Sequence, residues 1–210
     1  RRTFDGSVEM RSTHDGGSMA VGYAARFNTL SQNLGGFVES VEPTAFNQTI
    51  KEADIRALFN HDVNQVLGRL ASDTLRLTVD EIGLRYEIDM PDTALGRDLT
   101  VLMARGDING SSFGFRVIDD AWGETTDGFP QRSLKQVALR DVGPVTFPAY
   151  TSSDVALRSL AEERHLDLRT LVEAGERNEL REALNLPDDT ADGEVASEAD
   201  TKPRRRRIRA

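Results

Sequence analysis

His61, the Ser111-Ser112 pair and Asp141 are the residues of this 210-residue chain whose types and settings could do chemistry: a general base, a nucleophile and a carboxylate. His61 ends an apolar run, Ala57-Leu58-Phe59, and sits in Asn60-His61-Asp62. A histidine at a strand end can face a cleft, and imidazole titrates close enough to neutrality to serve as a general base. Ser111 and Ser112 lie between Gly110 and Gly114, where small neighbours leave the backbone approachable and its N–H groups available to an oxyanion. Asp141 is the lone acid in the apolar stretch from Leu134 to Phe147, where a carboxylate needs a partner. That partner could be a histidine ring nitrogen, whose tautomer it would hold. Taken singly, each residue has a commoner structural explanation. His61 could be a turn histidine capped by Asn60 or Asp62, the serines could be tolerated in a bulged strand, and Asp141 could pair with Arg105, Arg132 or Arg140.

Other chemistries find little footing. Gly110-Ser111-Ser112-Phe113-Gly114 has the spacing of a nucleophile elbow with Ser112 in the middle. That elbow requires a strand–turn–helix, whereas apolar alternation through Phe115 and Val117 continues a strand, which argues against an α/β-hydrolase. The absence of cysteine removes disulfides, zinc–thiolate sites and thiol nucleophiles, and is compatible with a reducing compartment. His14, His61 and His165 are the only histidines, and Asp89, Asp92, Asp98, Asp107, Asp119 and Asp120 are scattered without metal-ligand spacing. Gly16-Gly17 and Gly35-Gly36 lack the strand–helix setting of a phosphate loop. No metal and no cofactor is therefore expected.

The elements that must position these residues read as mainly β with flanking helices, an α+β class. Arg1 to Gly17 is polar and reads as a loose or edge segment; Met19 to Phe27 reads as a strand bent at its glycine. Asn33-Leu34-Gly35-Gly36 is a turn, Pro43 to Ala53 a short helix, and Ile55 to Phe59 a short strand. Leu75, Leu77 and Val79 alternate with polar residues, as do Leu84, Tyr86, Ile88 and Met90 after the Asp80–Gly83 turn, which predicts a half-buried hairpin ended by Pro91. Asp92 to Arg105 predicts a helix, capped by Asp92 or Thr93, striped by Leu95, Leu99, Leu102 and Met103 and stopped by Gly106. Strands are expected over Ile108–Ile118 and Leu134–Val145, with a polar loop from Trp122 to Pro130 between them. Asp154 to Asn185 is helical in composition, with Gly175 as a candidate break. The domain plan is a loose segment over 1–17, a strand-rich domain over 18–160, a helical segment over 161–186 and a disordered tail over 187–210.

Charge supports a separate tail. The chain carries a net charge of −9, yet Pro187 to Asp200 is acidic and Lys202 to Arg209 strongly basic. An acidic body disfavours nucleic acid over most of its surface. No apolar run approaches the roughly 20 residues that span a bilayer, and no signal-peptide pattern opens the sequence. It begins Arg1-Arg2 without a methionine, so a start that is trimmed or lies upstream is expected.

An ordered set of short stretches resembles the prohead protease family of tailed phages. The set comprises Gly22-Tyr23-Ala24-Ala25-Arg26-Phe27-Asn28, Leu34-Gly35-Gly36-Phe37-Val38-Glu39, Pro43-Thr44-Ala45-Phe46 and Ala57-Leu58-Phe59-Asn60-His61-Asp62. It continues with Val66-Leu67-Gly68-Arg69, Asp73-Thr74-Leu75-Arg76-Leu77, Gly83-Leu84, Pro91-Asp92-Thr93 and Gly96-Arg97-Asp98-Leu99. Arg105-Gly106-Asp107-Ile108 with Ser112-Phe113-Gly114-Phe115, and Val145-Thr146-Phe147-Pro148-Ala149-Tyr150, complete it. The specificity lies in the order and rough spacing from about Gly22 to Leu160.

The resemblance implies a fold similar to the herpesvirus capsid protease, a β-barrel surrounded by helices, and a serine endopeptidase that cuts the scaffold or delta segment of the capsid protein and then itself. By motif, the family histidine falls on His61, the serine before Phe-Gly-Phe on Ser112, and the acid of the last strand on Asp141. Many relatives carry Glu followed by Val-Ser where this chain has Asp141-Val142-Gly143, which shortens the acid by about one methylene. The implied partners are the major capsid protein with its scaffold segment, and further copies of the protease; the implied location is the procapsid in the host cytoplasm. Two other readings stay open: a non-catalytic capsid-assembly or scaffold-like protein on the same fold, and nucleic-acid contact through Arg204-Arg205-Arg206-Arg207. The second is weakened by the lack of aromatic interleaving and by the acidic stretch before it.

Overall fold

A computed structural model describes residues 8–14, 16–147 and 153–186. The described chain is mainly β with helices between and after the strands. Its strands form two sheets. The first has the order β1 (Glu9–Ser12), β2 (Ser18–Arg26), β7 (Gly83–Asp89), β6 (Leu75–Val79), all antiparallel. The second is built on a long antiparallel hairpin of β8 (Gly110–Glu124) and β9 (Pro130–Val145). On its other edge β9 takes two short parallel partners: β3 (Val38–Val41) along its first half and β4 (Arg56–Leu58) along its second. Strand β5 (Val66–Arg69) then pairs with β4. Between β3 and β4 the edge of β9 is satisfied by the connecting chain, with Val137 N–H donating to the Ala45 carbonyl and Leu139 N–H to the Thr49 hydroxyl.

Among the described residues the two sheets are separate and no closed barrel forms. They meet at a corner, where Phe27 bridges Val41 and Asn28 N–H donates to the Val41 carbonyl. The space between them is filled by Ala20, Ala24, Leu75, Leu84, Tyr86 and Ile88 from the first sheet and Phe113, Leu134, Val137, Leu139 and Val142 from the second. A ring series crosses this core: Phe27 to Phe46 at 6.2 Å, Phe46 edge-on to Phe113 at 5.6 Å, and Phe113 stacked on Phe115 at 4.7 Å. Fully burying a side chain such as Phe113 stabilises by about 1.5–3 kcal/mol, so this residue pins the register of β8.

Helix α2 (Ala94–Arg105) has the predicted stripe, with Leu99 and Met103 buried and Leu95 and Leu102 packed against the core. Thr93 is its cap, accepting from Gly96 N–H, and left-handed Gly106 ends it. The helix predicted over Pro43–Ala53 is shorter: α1 covers only Thr49–Glu52, because the preceding residues form turns that hydrogen-bond to β9. The polar loop predicted from Trp122 to Pro130 shrinks to residues 125–129. Trp122–Glu124 stay in β8 because they remain in cross-strand register with 130–132, and Trp122 packs on Phe37.

The C-terminal helices α3 (Ser153–Arg164), α4 (Leu168–Glu176) and α5 (Leu180–Ala183) build a second core with Leu34, Phe37 and Trp122. The chain breaks at His165–Asp167 and again after Glu176. Gly175 is not a break: it lies inside α4, and glycine is needed there because a Cβ would fall 2.2 Å from the Gly35 carbonyl oxygen. Within the segment read as loose or edge, Glu9–Ser12 is β1, an edge strand on β2. The tail predicted over 187–210 lies outside the described residues. Among the described residues no helix is long and apolar enough to cross a membrane.

Candidate active site

Alternation along β8 decides which serine faces which way. Phe113 and Phe115 point into the core, so Ser111 shares their side and Ser112 and Gly114 take the other. Ser111 is fully buried and hydrogen-bonds the Tyr86 hydroxyl at 2.8 Å. Burial pushes the Tyr86 phenol far above its ordinary range, and the Ser111 hydrogen bond pulls only partly back. Ser112 faces the opposite side, where its Oγ lies 2.8 Å from His61 Nε2.

The register of the β8–β9 hairpin sets the acid beside the serine. Ser112 pairs with Gly143 and Gly114 with Asp141, which puts Ser112 and Asp141 diagonally across one face. Between the Gly114–Asp141 and Phe115–Leu139 pairs the register shifts, leaving Arg140 as an extra residue on β9. This bulge lets Leu139 and Val142 both stay buried while Asp141 turns to the serine side. Asp141 accepts a hydrogen bond from His61 Nδ1. Gly114 makes room for it, since a Cβ at that position would lie 2.2 Å from Asp141 Oδ2. Gly143 serves a different close approach, a Cβ there falling 2.2 Å from the Leu58 carbonyl of β4.

His61 arrives on the turn after β4. The Phe59 carbonyl accepts from Asp62 N–H at 3.0 Å, and the two central residues, Asn60 and His61, have φ of 52° and 58°. A turn with both central residues at positive φ suits Asn well but is strained at a non-glycine second position, by about 1–2 kcal/mol. The surrounding bonds hold it: Phe59 N–H to the Gln65 carbonyl, and the Asp62 carboxylate to Asn64 and Gln65. An acceptor-only carboxylate on Nδ1 puts the ring proton there and turns the Nε2 lone pair to the Ser112 hydroxyl. All three side chains are largely shielded, at 8% exposure for His61 and 14% for Asp141, with Ser112 at 1%. Such an arrangement is able to take a proton from Ser112 and return it to a leaving group.

The structure thus brings together all three residues singled out in the sequence. The arginines considered as partners for Asp141 are engaged elsewhere or exposed: Arg105 with Asp107, and Arg132 with Asp120, Glu163 and Glu39. Sequence reasoning saw Asn60 only as a possible cap for a turn histidine, whereas its side chain fastens the turn to Thr146, and it gave Gly114 a different reason from the one observed. Among the described residues no group of three or more His, Asp or Glu is placed to hold a metal ion.

A β-rich fold carrying a serine, a histidine and a carboxylate in hydrogen-bonded series is an arrangement found in hydrolases. The model of the caudovirus prohead serine protease family matches residues 6–166, a span that contains both sheets and all three residues. The chain belongs to the caudovirus prohead serine protease family. No curated protein and no solved structure matched it. Membership supports a capsid-maturation protease role, interaction with capsid proteins and a place within the procapsid in the host cell.

Proposed function

We propose that this chain is a serine endopeptidase that cleaves the scaffold or delta segment of the capsid protein, and itself, during capsid assembly. Ser112 is the nucleophile, His61 the general base and acid, and Asp141 the group that orients His61. The observation that carries the reading is the hydrogen-bonded series Ser112 Oγ, His61 Nε2, His61 Nδ1, Asp141 Oδ1.

In the first step His61 Nε2 takes the Ser112 proton as Oγ attacks the scissile carbonyl, and the protonated ring hands that proton to the leaving amine. Water then attacks the acyl-serine with His61 again as base, releasing the acid and restoring the hydroxyl. Asp141 holds the ring in the needed tautomer and stabilises the transient imidazolium. The contacts that join the sheets at the Phe27–Val41 corner support reading the fold as an open-seamed relative of the herpesvirus capsid protease barrel.

Co-expression with the cognate capsid protein, wild type against Ser112→Ala, followed by mass spectrometry of the products, tests this. Cleaved capsid protein and cleaved protease are expected with the wild type alone. Identical products from both chains would exclude Ser112 catalysis, and intact proteins from both would favour a non-catalytic assembly role.

A further inference from the structure

Asn60 holds the candidate base in place by three hydrogen bonds that all reach β9 and the residue after it. Its backbone N–H donates to the Pro144 carbonyl at 3.1 Å. Its side-chain Oδ1 accepts from Thr146 N–H at 2.9 Å, and its Nδ2 donates to Thr146 Oγ1 at 3.2 Å. The amide orientation follows from these partners, because only the oxygen can accept from a backbone N–H. Pro144 lies opposite Ser111 and Gly143 opposite Ser112, so the clamp fastens the turn to the stretch of β9 that carries the acid and flanks the nucleophile. The other hydrogen bonds of the Phe59–Gln65 loop, apart from those of His61, are internal to it among the described residues. Strand β4 itself pairs in register with β9 only at Arg56 and Ala57, and its last residue, Leu58, lies close against Gly143, short of the turn.

We infer that Asn60 is a positioning residue for the hydrolytic reaction: its side-chain amide, clamped on Thr146, fixes the His61 imidazole between Asp141 and Ser112. The inference rests on the proposed catalytic reading. Asn60 touches no reacting atom, and its role has two separable parts. One is the left-handed backbone at φ 52°, which glycine would adopt at least as readily. The other is the amide clamp, which glycine removes.

A fluorophosphonate probe, which acylates an activated serine, separates reactivity (kinact) from recognition (KI) in the full-length chain. Asn60→Gly and Asn60→Ala are expected to lower kinact by about ten- to a hundredfold, the size of effect that a misplacement of about 1 Å produces, with KI little changed. Asn60→Asp is expected to recover most of the rate, since a carboxylate oxygen still accepts from Thr146 N–H and the Thr146 hydroxyl can donate to the other oxygen. Asn60→Gly with wild-type kinact would overturn the clamp and leave a backbone role alone. An Asn60→Asp variant as slow as Asn60→Ala would overturn it too. If Ser112→Ala is labelled as fast as wild type, the catalytic reading fails and the inference with it. Labelling that needs Ser112 but ignores Asn60 sinks the inference alone.

Discussion

Ser111 and Ser112 are adjacent in sequence and face opposite sides of β8, so equal substitutions there have different consequences. Ser111→Ala takes the partner from a buried tyrosine hydroxyl, so it is expected to lose about 1–3 kcal/mol in urea unfolding and to leave cleavage largely intact. Ser112→Ala is expected to keep its stability and lose cleavage. Loss of cleavage in Ser111→Ala alone would place the nucleophile one residue away. Gly114→Ala is a second test at this scale. Its Cβ would collide with Asp141, so the variant is expected to stay folded by circular dichroism and cleave at least as poorly as Asp141→Asn. Wild-type cleavage by Gly114→Ala would remove Asp141 from the mechanism. The sequence made Gly114 visible only as a small neighbour of Ser112. Its clash with a side chain twenty-seven residues on exists only once the hairpin register is known.

At the scale of elements, the hairpins were legible where alternation is regular and obscure where it breaks. Leu75–Val79 and Gly83–Asp89 alternate cleanly, and the predicted hairpin is the observed β6–β7 pair. The β8–β9 hairpin carries register shifts at Gly114/Phe115, Val117/Asp119 and Asp119/Asp120, so its true length and its short loop were hidden behind a polar pattern. Two consecutive left-handed residues at Asn60 and His61 are likewise invisible without coordinates, since neither is glycine. The β6–β7 turn offers a pH test. Asp80 accepts from the Tyr23 hydroxyl at 2.7 Å and from the backbone N–H groups of Ile82 and Gly83. Burial pushes its carboxyl up, but the Tyr23 hydroxyl, these N–H groups and Arg85 together hold it below the usual value. A carboxylate depressed on folding contributes stability above its unfolded pKa of about 4, and that contribution is lost as pH falls through the folded value. The stability gap between wild type and Asp80→Asn in urea titrations is therefore expected at neutral pH and to close below about pH 4. A gap that persists unchanged at pH 2 would contradict the assignment.

The whole molecule joins two cores, and Arg132 sits at the junction. Its buried guanidinium faces Asp120, Glu163 and Glu39, and Trp122 lies beside it with ring centroid 5.7 Å from Cζ. Glu163 comes from α3, so this cluster fastens the C-terminal helices to the β8–β9 hairpin. Arg132→Met would leave three carboxylates gathered around an apolar chain, with an expected loss of about 3–5 kcal/mol in denaturant unfolding. Trp122 is the chain's single tryptophan and packs on Phe37 within the second core, so its emission reports the docking directly. A red shift in Arg132→Met under native conditions is expected, whereas unchanged emission and stability would show that apolar contacts alone hold the helices. Composition revealed these helices but not where they dock, because the buried arginine and its carboxylates come from elements far apart in sequence.

Activation of Ser112 by His61 is tested most directly by treating the folded protein with a fluorophosphonate and mapping the adduct by peptide mass spectrometry. A single adduct on Ser112 is predicted, absent in Ser112→Ala and strongly slowed in His61→Ala. An adduct on Ser111 or another residue, or labelling that survives Ser112→Ala, would contradict it.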